Sequence, residues 1–431
     1  MEYSHLSAAV DRIKPDLIAL LQDLVRIPSY PCTIEQNKCL DLIADFLNDP
    51  SIRHHRWKPN WEQVEKVVAP SNGALLYTHN DTFLKTRDQI GVLVSEYGEG
   101  SRLIVLNGHV DIVGVEPMAD WTVDPFSGFV KDGRLYGRGA IDMKGGLVGL
   151  IGALKALAET ETELKGRVQL HAVPEEETGG NGTLACIEKG FIGDATVFAE
   201  TTDLRVLYHH TGIQDFKIKL VGNPGFILRH SPGVDSVYAM GKVLRRLEEL
   251  QHQREIEARK RIPDFLDNDS PGFINVGSVR AGEWDATCPT YSFAQGLMSL
   301  LPGETPQEAL SELEAAVKEA VSDHPWFVDH PPLVFSQSIG HLGGELTSDH
   351  PLVSAFTAAS TQVGINPAGL PQGRLMVCDA KITQGGGFSP SIVFGPKGWS
   401  AHAPDECVEI ESVIQCAKVT AAGVVNYLSR A

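Results

Sequence analysis

Four short apolar runs, spread over most of the chain, constrain this sequence more than any other feature. They are RLIVLNG (102–108), RVQLHAV (167–173), ATVFAE (195–200) and SIVFG (391–395). Between the first two lies DMKGGLVGLIGALKALAET (142–160), which is long enough for a crossover helix. Runs like these are typical of strands buried on both faces of a parallel sheet. The order of strand, helix and strand therefore predicts an α/β domain with a mainly parallel sheet flanked by helices.

The N-terminal region shows helical periodicity. Apolar residues recur at three- and four-residue steps from Val10 through Leu17 to Leu24. Pro15 is expected in the first turn of a helix, and it would divide this pattern into two helices. A further helix is predicted over 34–48.

A second pattern begins near residue 212 and predicts a separate domain. Its expected elements are a strand around 216–220, a helix near 235–260, strands at 273–279 and 291–300, a helix that begins near 306 and a strand at 332–336. Thr305 and Glu308 form a capping box at the start of the second of these helices. This βαββαβ order predicts a small domain at 212–336, inserted into a larger discontinuous domain at 1–211 and 337–431.

Composition excludes several classes of partner. The chain has 431 residues, with 37 basic and 55 acidic side chains and a net charge of −18. Nucleic acids and anionic membranes select basic surfaces, so neither is an expected partner. No apolar run approaches the roughly 20 residues that cross a bilayer, and the N-terminus lacks a signal-peptide pattern. Seven scattered cysteines without a CxxC pair indicate reduced thiols, and a cytoplasmic location is expected.

Polar side chains follow each of the four predicted strands. In chain order they are His109 and Asp111, then Glu175, Glu176 and Glu177, then Glu200, then His402; Asp142 stands at the start of the crossover helix. Because parallel strands present their carboxyl ends at one edge of a sheet, these side chains should gather there. Imidazoles with several carboxylates are ligands for a divalent metal such as zinc. A dication would also neutralise the crowded glutamates.

Each of these residues has an ordinary explanation when taken alone. A histidine after a strand is most often a structural or surface residue. The glutamates at 175–177 fit a solvated acidic turn, and Asp142 fits a helix N-cap. Their joint occurrence at one sheet edge is what favours a metal site.

Five ordered motifs resemble the M20 metallopeptidase/amidohydrolase family, and they span nearly the whole chain. They are NGHVDIV, GRGAIDMKGG, PEEETGGNGT, AET and SAHAPDE. The stretch from CDAK to FGPKGWSAHAPDECVEI is most similar to the acetylornithine-deacetylase-like branch. The resemblance implies a zinc-exopeptidase-like catalytic domain with an inserted, ferredoxin-like lid and dimerisation domain. It also implies a homodimer formed through the inserted domain.

The same resemblance implies two divalent metal ions, with zinc favoured and cobalt or manganese as alternatives. The implied ligands are Asp142 as the bridge, His109 and Glu200 on one ion, and Glu177 and His402 on the other. Asp111 would accept the second ring N–H of His109. Alignment on Gly179 makes Glu176 the general base, which takes a proton from the metal-activated water and returns it to the leaving nitrogen.

The oxyanion-binding histidine of the family is replaced in this chain. The corresponding stretch is GFILRHSPGVDSV, and Phe226 occupies the position. A phenyl ring cannot donate a hydrogen bond to an oxyanion. His230 and His210 are candidate substitutes, although either fits equally well as an ordinary surface histidine.

Other departures fall on expected substrate contacts. Lys381 stands in CDAK where the branch has arginine, next to Asp379, and a lysine lacks the bidentate fork of a guanidinium. Ala286 replaces an asparagine found in many relatives. Arg280 is a candidate carboxylate binder. These positions leave the implied metal site intact but put the standard substrates of the family in doubt, unless they reflect neutral drift.

Three functions compete at this point. The favoured one is a metal-dependent hydrolase that cleaves the amide bond of a small N-acylated amino acid or related compound. The alternative applies the same chemistry to a dipeptide, an aryl amide or the hydrolytic deamination of an amine. A non-catalytic metal-binding relative is the third, and the retention of Glu176 argues against it.

Overall fold

The computed structural model describes residues 2–68, 85–225, 233–262, 270–282, 284–336, 340–365, 373–374 and 378–429. The chain forms two compact units. The first comprises Met1–Tyr208, Glu345–Gln372 and Cys378–Ala431, and the second comprises His209–Gly344 and Gly373–Val377. The second unit extends beyond the expected 212–336 at both ends, since the strand His209–His210 pairs in parallel with Gly373–Arg374.

The first unit is built on a six-stranded sheet. Its strands are β1 (Arg53–Trp57), β2 (Val92–Glu99), β3 (Leu103–His109), β6 (Gly166–Val173), β7 (Ala195–Phe198) and β15 (Ser391–Val393), in the order β1-β2-β6-β3-β7-β15. The last four strands in that order run parallel, whereas β2 pairs antiparallel with both β6 and the edge strand β1. The parallel strands coincide with the four apolar runs, which confirms the predicted fold class.

Helices and a small second sheet complete this unit. The helices are α1 (Glu2–Val25), α2 (Glu35–Phe46), α3 (Trp61–Val68), α4 (Gly145–Glu159), α5 (Asn181–Glu188), α9 (Pro351–Val363), α10 (Ala380–Thr383) and α11 (Ile410–Ser429). The small antiparallel sheet holds β16 (Gly398–Trp399), β17 (Cys407–Glu409), β5 (Arg134–Tyr136) and β4 (Phe129–Lys131), in that order.

The expected break at Pro15 does not occur. Helix α1 continues through Pro15 as a single helix of 24 residues. An interior proline costs roughly 3 kcal/mol in an exposed helix. Here Leu6, Val10, Leu17 and other apolar residues on one face of α1 are fully or almost fully buried. Each such side chain contributes about 1.5–3 kcal/mol when buried, so packing outweighs the cost of the proline.

The crossover helix α4 begins unusually close to the end of β7. A Cβ atom placed on Gly146 would lie 1.7 Å from the carbonyl oxygen of Ala199. Only glycine permits this approach, and it brings the start of α4 beside Glu200. The glycine pair of the DMKGG motif therefore has a packing role at the carboxyl edge of the sheet.

The second unit is an antiparallel sheet covered on one face by two helices. Its strands are β9 (Gly212–Val221), β10 (Ile274–Ala281), β11 (Tyr291–Leu300) and β12 (Leu333–Phe335), in the order β10-β11-β9-β12. Its helices are α6 (Ser236–Arg261), α7 (Pro306–Ala320) and the short α8 (Pro325–Asp329). The expected capping box of Thr305 and Glu308 is present at the start of α7. A further three-stranded sheet holds β13 (Gly344–Glu345), β8 (His209–His210) and β14 (Gly373–Arg374).

Among the described helices, none combines the length and the apolar character needed to span a membrane.

Candidate metal and catalytic site

The first group of candidate ligands surrounds one oxygen of Asp142. His109 is the last residue of β3, and its Nε2 lies 3.2 Å from Asp142 Oδ1. The same nitrogen lies 3.7 Å from Oε1 of Glu200, which follows β7. Asp142 itself lies at a kink in the segment Ala140–Lys144, ahead of α4, where its backbone dihedral angles are not helical. Two neighbouring strands and the crossover connection thus bring three donors together.

The second group surrounds the other oxygen of the same carboxylate. His402 Nε2 lies 2.9 Å from Asp142 Oδ2 and 3.3 Å from Glu177 Oε1. Asp142 therefore places Oδ1 near one histidine and Oδ2 near the other, and each histidine also has a glutamate carboxylate within 4 Å.

The residues present fit a divalent metal. Ligand atoms of His109, Asp142 and Glu177 all lie within 4.8 Å of one another. Glu177 Oε1 is buried, and the ring of His402 lies 3.3 Å from it. Burying a carboxylate is costly unless a positive charge compensates it. Nitrogen and oxygen donors together suit zinc and related borderline metals.

The titration behaviour of the cluster shows the same demand for positive charge. Burial raises the pKa of Glu177 to about 7, and it raises the pKa of Glu200 well above its usual range. Hydrogen bonds to Asp142 and Glu177 raise the pKa of His402 to about 10. A cation at this position would offset the cost of burying these carboxylates. Ligating imidazoles and carboxylates must be deprotonated, so the affinity for a metal would depend on pH.

Asp111 organises the loop that carries the adjacent glutamates. Its Oδ1 accepts a hydrogen bond from the backbone N–H of Glu176 at 3.1 Å, and Oδ2 accepts one from Glu177 at 3.0 Å. His109 Nδ1 lies 3.0 Å from the Asp111 carbonyl oxygen and 3.5 Å from its carboxylate. The ring of His109 thus lies closer to the backbone carbonyl of Asp111 than to its carboxylate. That carboxylate holds the glutamate loop, a contact that sequence reasoning did not anticipate.

Glu406 holds the turn that presents Asp142, and sequence reasoning assigned it no role. Its fully buried carboxylate accepts hydrogen bonds from the backbone N–H groups of Gly139, Ile141 and Asp142 at 2.9–3.1 Å. The guanidinium of Arg138 lies 2.5 Å from the same carboxylate. Glu406 belongs to the SAHAPDE motif, so the available signal was its position within that motif.

Glu175 faces away from the candidate ligands and into the protein. Its carboxylate accepts hydrogen bonds from the Cys32 backbone at 2.6 Å, from Gln36 Nε2 at 2.6 Å and from the Thr178 hydroxyl at 2.7 Å. Its backbone has φ of 63°, which is unusual for a residue other than glycine. The three consecutive glutamates therefore have different surroundings, and the first has a structural role.

Lys381 and Asp379 lie beside the glutamate loop. Lys381 Nζ is 3.2 Å from Glu176 Oε1 and 3.9 Å from Asp379 Oδ1. Burial raises the pKa of Asp379 to about 7, whereas Glu176 and Asp379 raise the pKa of Lys381 despite its burial. Both residues were expected to contact substrate, and the structure shows them in contact with the loop of the expected general base.

The remaining candidates lie in the second unit. His210 is buried in β8, with Nδ1 3.4 Å from the Thr211 carbonyl oxygen. Arg280 is exposed near the end of β10 and lines an open groove of about 1210 Å³, together with Trp284 and Phe293. His230 and Phe226 fall outside the described residues.

Comparison with known proteins connects this geometry with an enzyme family. The sequence profile of Peptidase family M20/M25/M40 matches residues 105–426. That span contains most of β3, the parallel strands β6, β7 and β15, every candidate metal ligand and the whole second unit.

Two curated relatives carry the same name, N-formyl-4-amino-5-aminomethyl-2-methylpyrimidine deformylase. The protein from Bacillus subtilis is 27% identical over 76% of this chain and 80% of its own length. The protein from Halalkalibacterium halodurans is 25% identical over 96% of this chain and 94% of its own. Both matches extend over most of each protein.

Among solved structures, the Bacillus subtilis YXEP protein, a dinuclear metal-binding peptidase of the M20 family, has a similar fold. Its TM-score is 0.67, and the match covers 98% of this chain and 100% of that chain. At 16% identity the similarity concerns the fold.

Proposed function

Since the chain belongs to peptidase family M20/M25/M40 and is therefore a metal-dependent peptidase or amidohydrolase, we propose that it removes the acyl group from a small N-acylated amine at a centre of two metal ions. The observation that carries this proposal is the divided carboxylate of Asp142. Its two oxygens approach two histidines, His109 and His402, at 3.2 and 2.9 Å. A single-metal site would not need a second, separate set of donors.

The names of the two curated relatives support a formyl group as the acyl group and an aminomethylpyrimidine as the amine. Hydrolysis of such a compound consumes one water and yields formate and the free amine. An N-acylated amino acid, the expectation from sequence, contains the same kind of bond. We therefore propose N-formyl amides of small amines as the first substrate class to test.

The proposed chemistry assigns separate tasks to the residues of the site. When bound, the metal pair would polarise the scissile carbonyl and lower the pKa of a coordinated water. Glu176 accepts a proton from the attacking water and donates it to the departing nitrogen. The backbone of Glu176 is held by Asp111, so the base and the ligand Glu177 share one rigid loop. Proton transfer of this kind contributes roughly 10²–10⁴ in rate.

Three finer features belong to the same proposal. Zinc is the proposed metal, because the donor set combines two imidazoles with carboxylates. A homodimer through the second unit is supported by β10, whose outer edge pairs with no other described strand. A reducing compartment such as the cytoplasm is supported by seven cysteines that are all free and buried.

A hydrolysis screen tests the function. The panel should contain the N-formylated aminomethylpyrimidine, N-formyl, N-acetyl, N-succinyl and N-carbamoyl amino acids, and dipeptides, each with zinc, cobalt or manganese. We expect release of formate from the pyrimidine compound at the highest kcat/KM. Zinc-loaded protein that cleaves none of these compounds would contradict the proposal.

A further inference from the structure

Lys381 is buried and already paired, unlike a side chain that is free to bind a substrate. Its side chain is only 6% exposed, and its ammonium already faces the carboxylates of Glu176 and Asp379. A buried ammonium is stable only when carboxylates and hydrogen bonds compensate it. Lys381 is therefore part of the internal structure of the site.

Asp379 is itself fixed from behind. Its Oδ2 accepts a hydrogen bond of 2.5 Å from the Thr183 hydroxyl, and Asn107 Nδ2 donates to that hydroxyl oxygen at 3.0 Å. Asn107 lies on β3, two residues before His109, and Thr183 lies in α5. A buried chain of polar contacts thus runs from the central strand to Lys381.

The contact with Lys381 engages one oxygen of the Glu176 carboxylate. The ammonium binds Oε1 at 3.2 Å, and no hydrogen bond to Oε2 is recorded among the described residues. A carboxylate tied at one oxygen loses much of its rotamer freedom, and its second oxygen stays available for proton transfer. Rate contributions from such groups depend on placement within about 0.5 Å.

We propose that Lys381, held by Asp379, Thr183 and Asn107, is a positioning residue that orients the Glu176 carboxylate for proton transfer. This inference rests on the proposed role of Glu176 as general base. It replaces the expectation that Lys381 binds a substrate carboxylate. It also explains how a lysine can stand where the resembling branch has arginine, because a single donor is enough to hold one oxygen.

The test compares zinc-loaded Lys381→Met with wild type, with the N-formylated aminomethylpyrimidine as probe. The matched control is Lys14→Met, which removes an exposed lysine paired with Glu411. We expect kcat to fall roughly 10–100-fold in Lys381→Met, part of the general-base contribution, with KM changed less than about threefold. Zinc content should stay at the wild-type value, and Lys381→Arg should restore most of kcat.

A crystal structure of zinc-loaded Lys381→Met supplies a measurement that does not depend on turnover. We expect the Glu176 carboxylate to be displaced or to occupy several rotamers, while the five ligands keep their positions. If wild type hydrolyses no probe, the proposed function fails, but this structural result still decides the role of Lys381.

Two results would overturn the inference. One is a Lys381→Met enzyme with raised KM and unchanged kcat, which would assign Lys381 to substrate binding. The other is a Glu176 carboxylate that keeps its place in that variant. If Lys381→Met does not fold, Thr183→Val removes a neutral link of the same chain. We then expect a smaller loss of kcat with KM unchanged, and no loss would overturn the inference.

Discussion

Buried carboxylates are compensated differently in the two units. In the second unit, the nearly buried guanidinium of Arg254 binds both oxygens of Glu304 at 2.8 Å and also contacts Glu312. In the first unit, the candidate ligands place three carboxylates against two imidazoles. The first arrangement contains a permanent cation, whereas the candidate ligands offer only imidazoles, which must be neutral to bind a metal. A carboxylate cluster without a lysine or arginine among its members is what distinguishes a metal site from a structural ion pair.

The largest expected loss of activity comes from replacing the proposed general base, and it should occur without loss of zinc. We expect Glu176→Gln to lower kcat by roughly 10²–10⁴ while zinc content is unchanged, because an amide cannot accept the proton. Glu177→Gln should lose zinc as well, since it alters a ligand. Steady-state kinetics on the N-formylated probe and zinc analysis check both variants. Substantial kcat in Glu176→Gln would remove the base from the mechanism.

The buried ion pair of Arg254 should contribute to the stability of the fold and not to metal binding. Replacing one partner of a buried pair leaves the other charge uncompensated, so Arg254→Met should lower the free energy of unfolding by about 3–5 kcal/mol. Lys242→Met, which breaks an exposed pair with Asp323, should leave the free energy of unfolding almost unchanged, because solvent screens both charges. Urea denaturation compares the variants. Equal losses, or a loss of zinc in Arg254→Met, would break the contrast between the units.

A substitution at Glu406 tests whether metal binding depends on the residues that support the candidate ligands. Glu406→Gln weakens the acceptor of three backbone N–H groups around Asp142, so zinc affinity should fall about 10–100-fold. Competition with a chelating dye measures the affinity. Glu411→Gln, on the surface of α11, is the control and should bind zinc as wild type does. Unchanged affinity in Glu406→Gln would show that the turn holds Asp142 without this carboxylate.

A buried histidine without a charged partner should have the smallest effect. Burial lowers the pKa of His171 to about 3, well below the usual 6.5 of a histidine. The unfolded chain therefore binds the extra proton first. This contribution to stability is fully present above pH 6.5 and is lost as the pH falls toward 3.

Between pH 7 and 5 the expected loss is about 1–2 kcal/mol. His171→Gln should flatten this part of the stability profile, and the exposed His5→Gln should leave it unchanged. Thermal melts across this pH range give the profile. A wild-type slope retained in His171→Gln would rule out this histidine as its source.

The sequence predicted the parallel sheet and the gathering of the candidate ligands for one physical reason. Buried parallel strands are continuous apolar runs, and their carboxyl ends share one edge, so the residues after them meet. The order of elements in the second unit followed from equally local signals, such as the capping box at Thr305. These features depend on short stretches of chain and on general rules of topology.

The features that sequence reasoning missed depend on contacts between distant segments. Pro15 lies inside a helix because packing outweighs its local preference. The roles of Glu406 and Lys381 depend on neighbours that are 264 and 205 residues away in the chain. The direction of each glutamate in a row of three cannot be read from the row itself. Local propensity and residue spacing carry no information about partners that are distant in the chain.

The inward-facing Glu175 connects the N-terminal region, at Cys32 and Gln36, to the loop that carries Glu176 and Glu177. Its carboxylate fastens the glutamate loop to the backbone of Cys32 and to Gln36 at the start of α2, 139 residues earlier in the chain. Truncation of the residues before the main sheet would remove these hydrogen bonds. The glutamate loop would then be less constrained, although no candidate metal ligand had been changed.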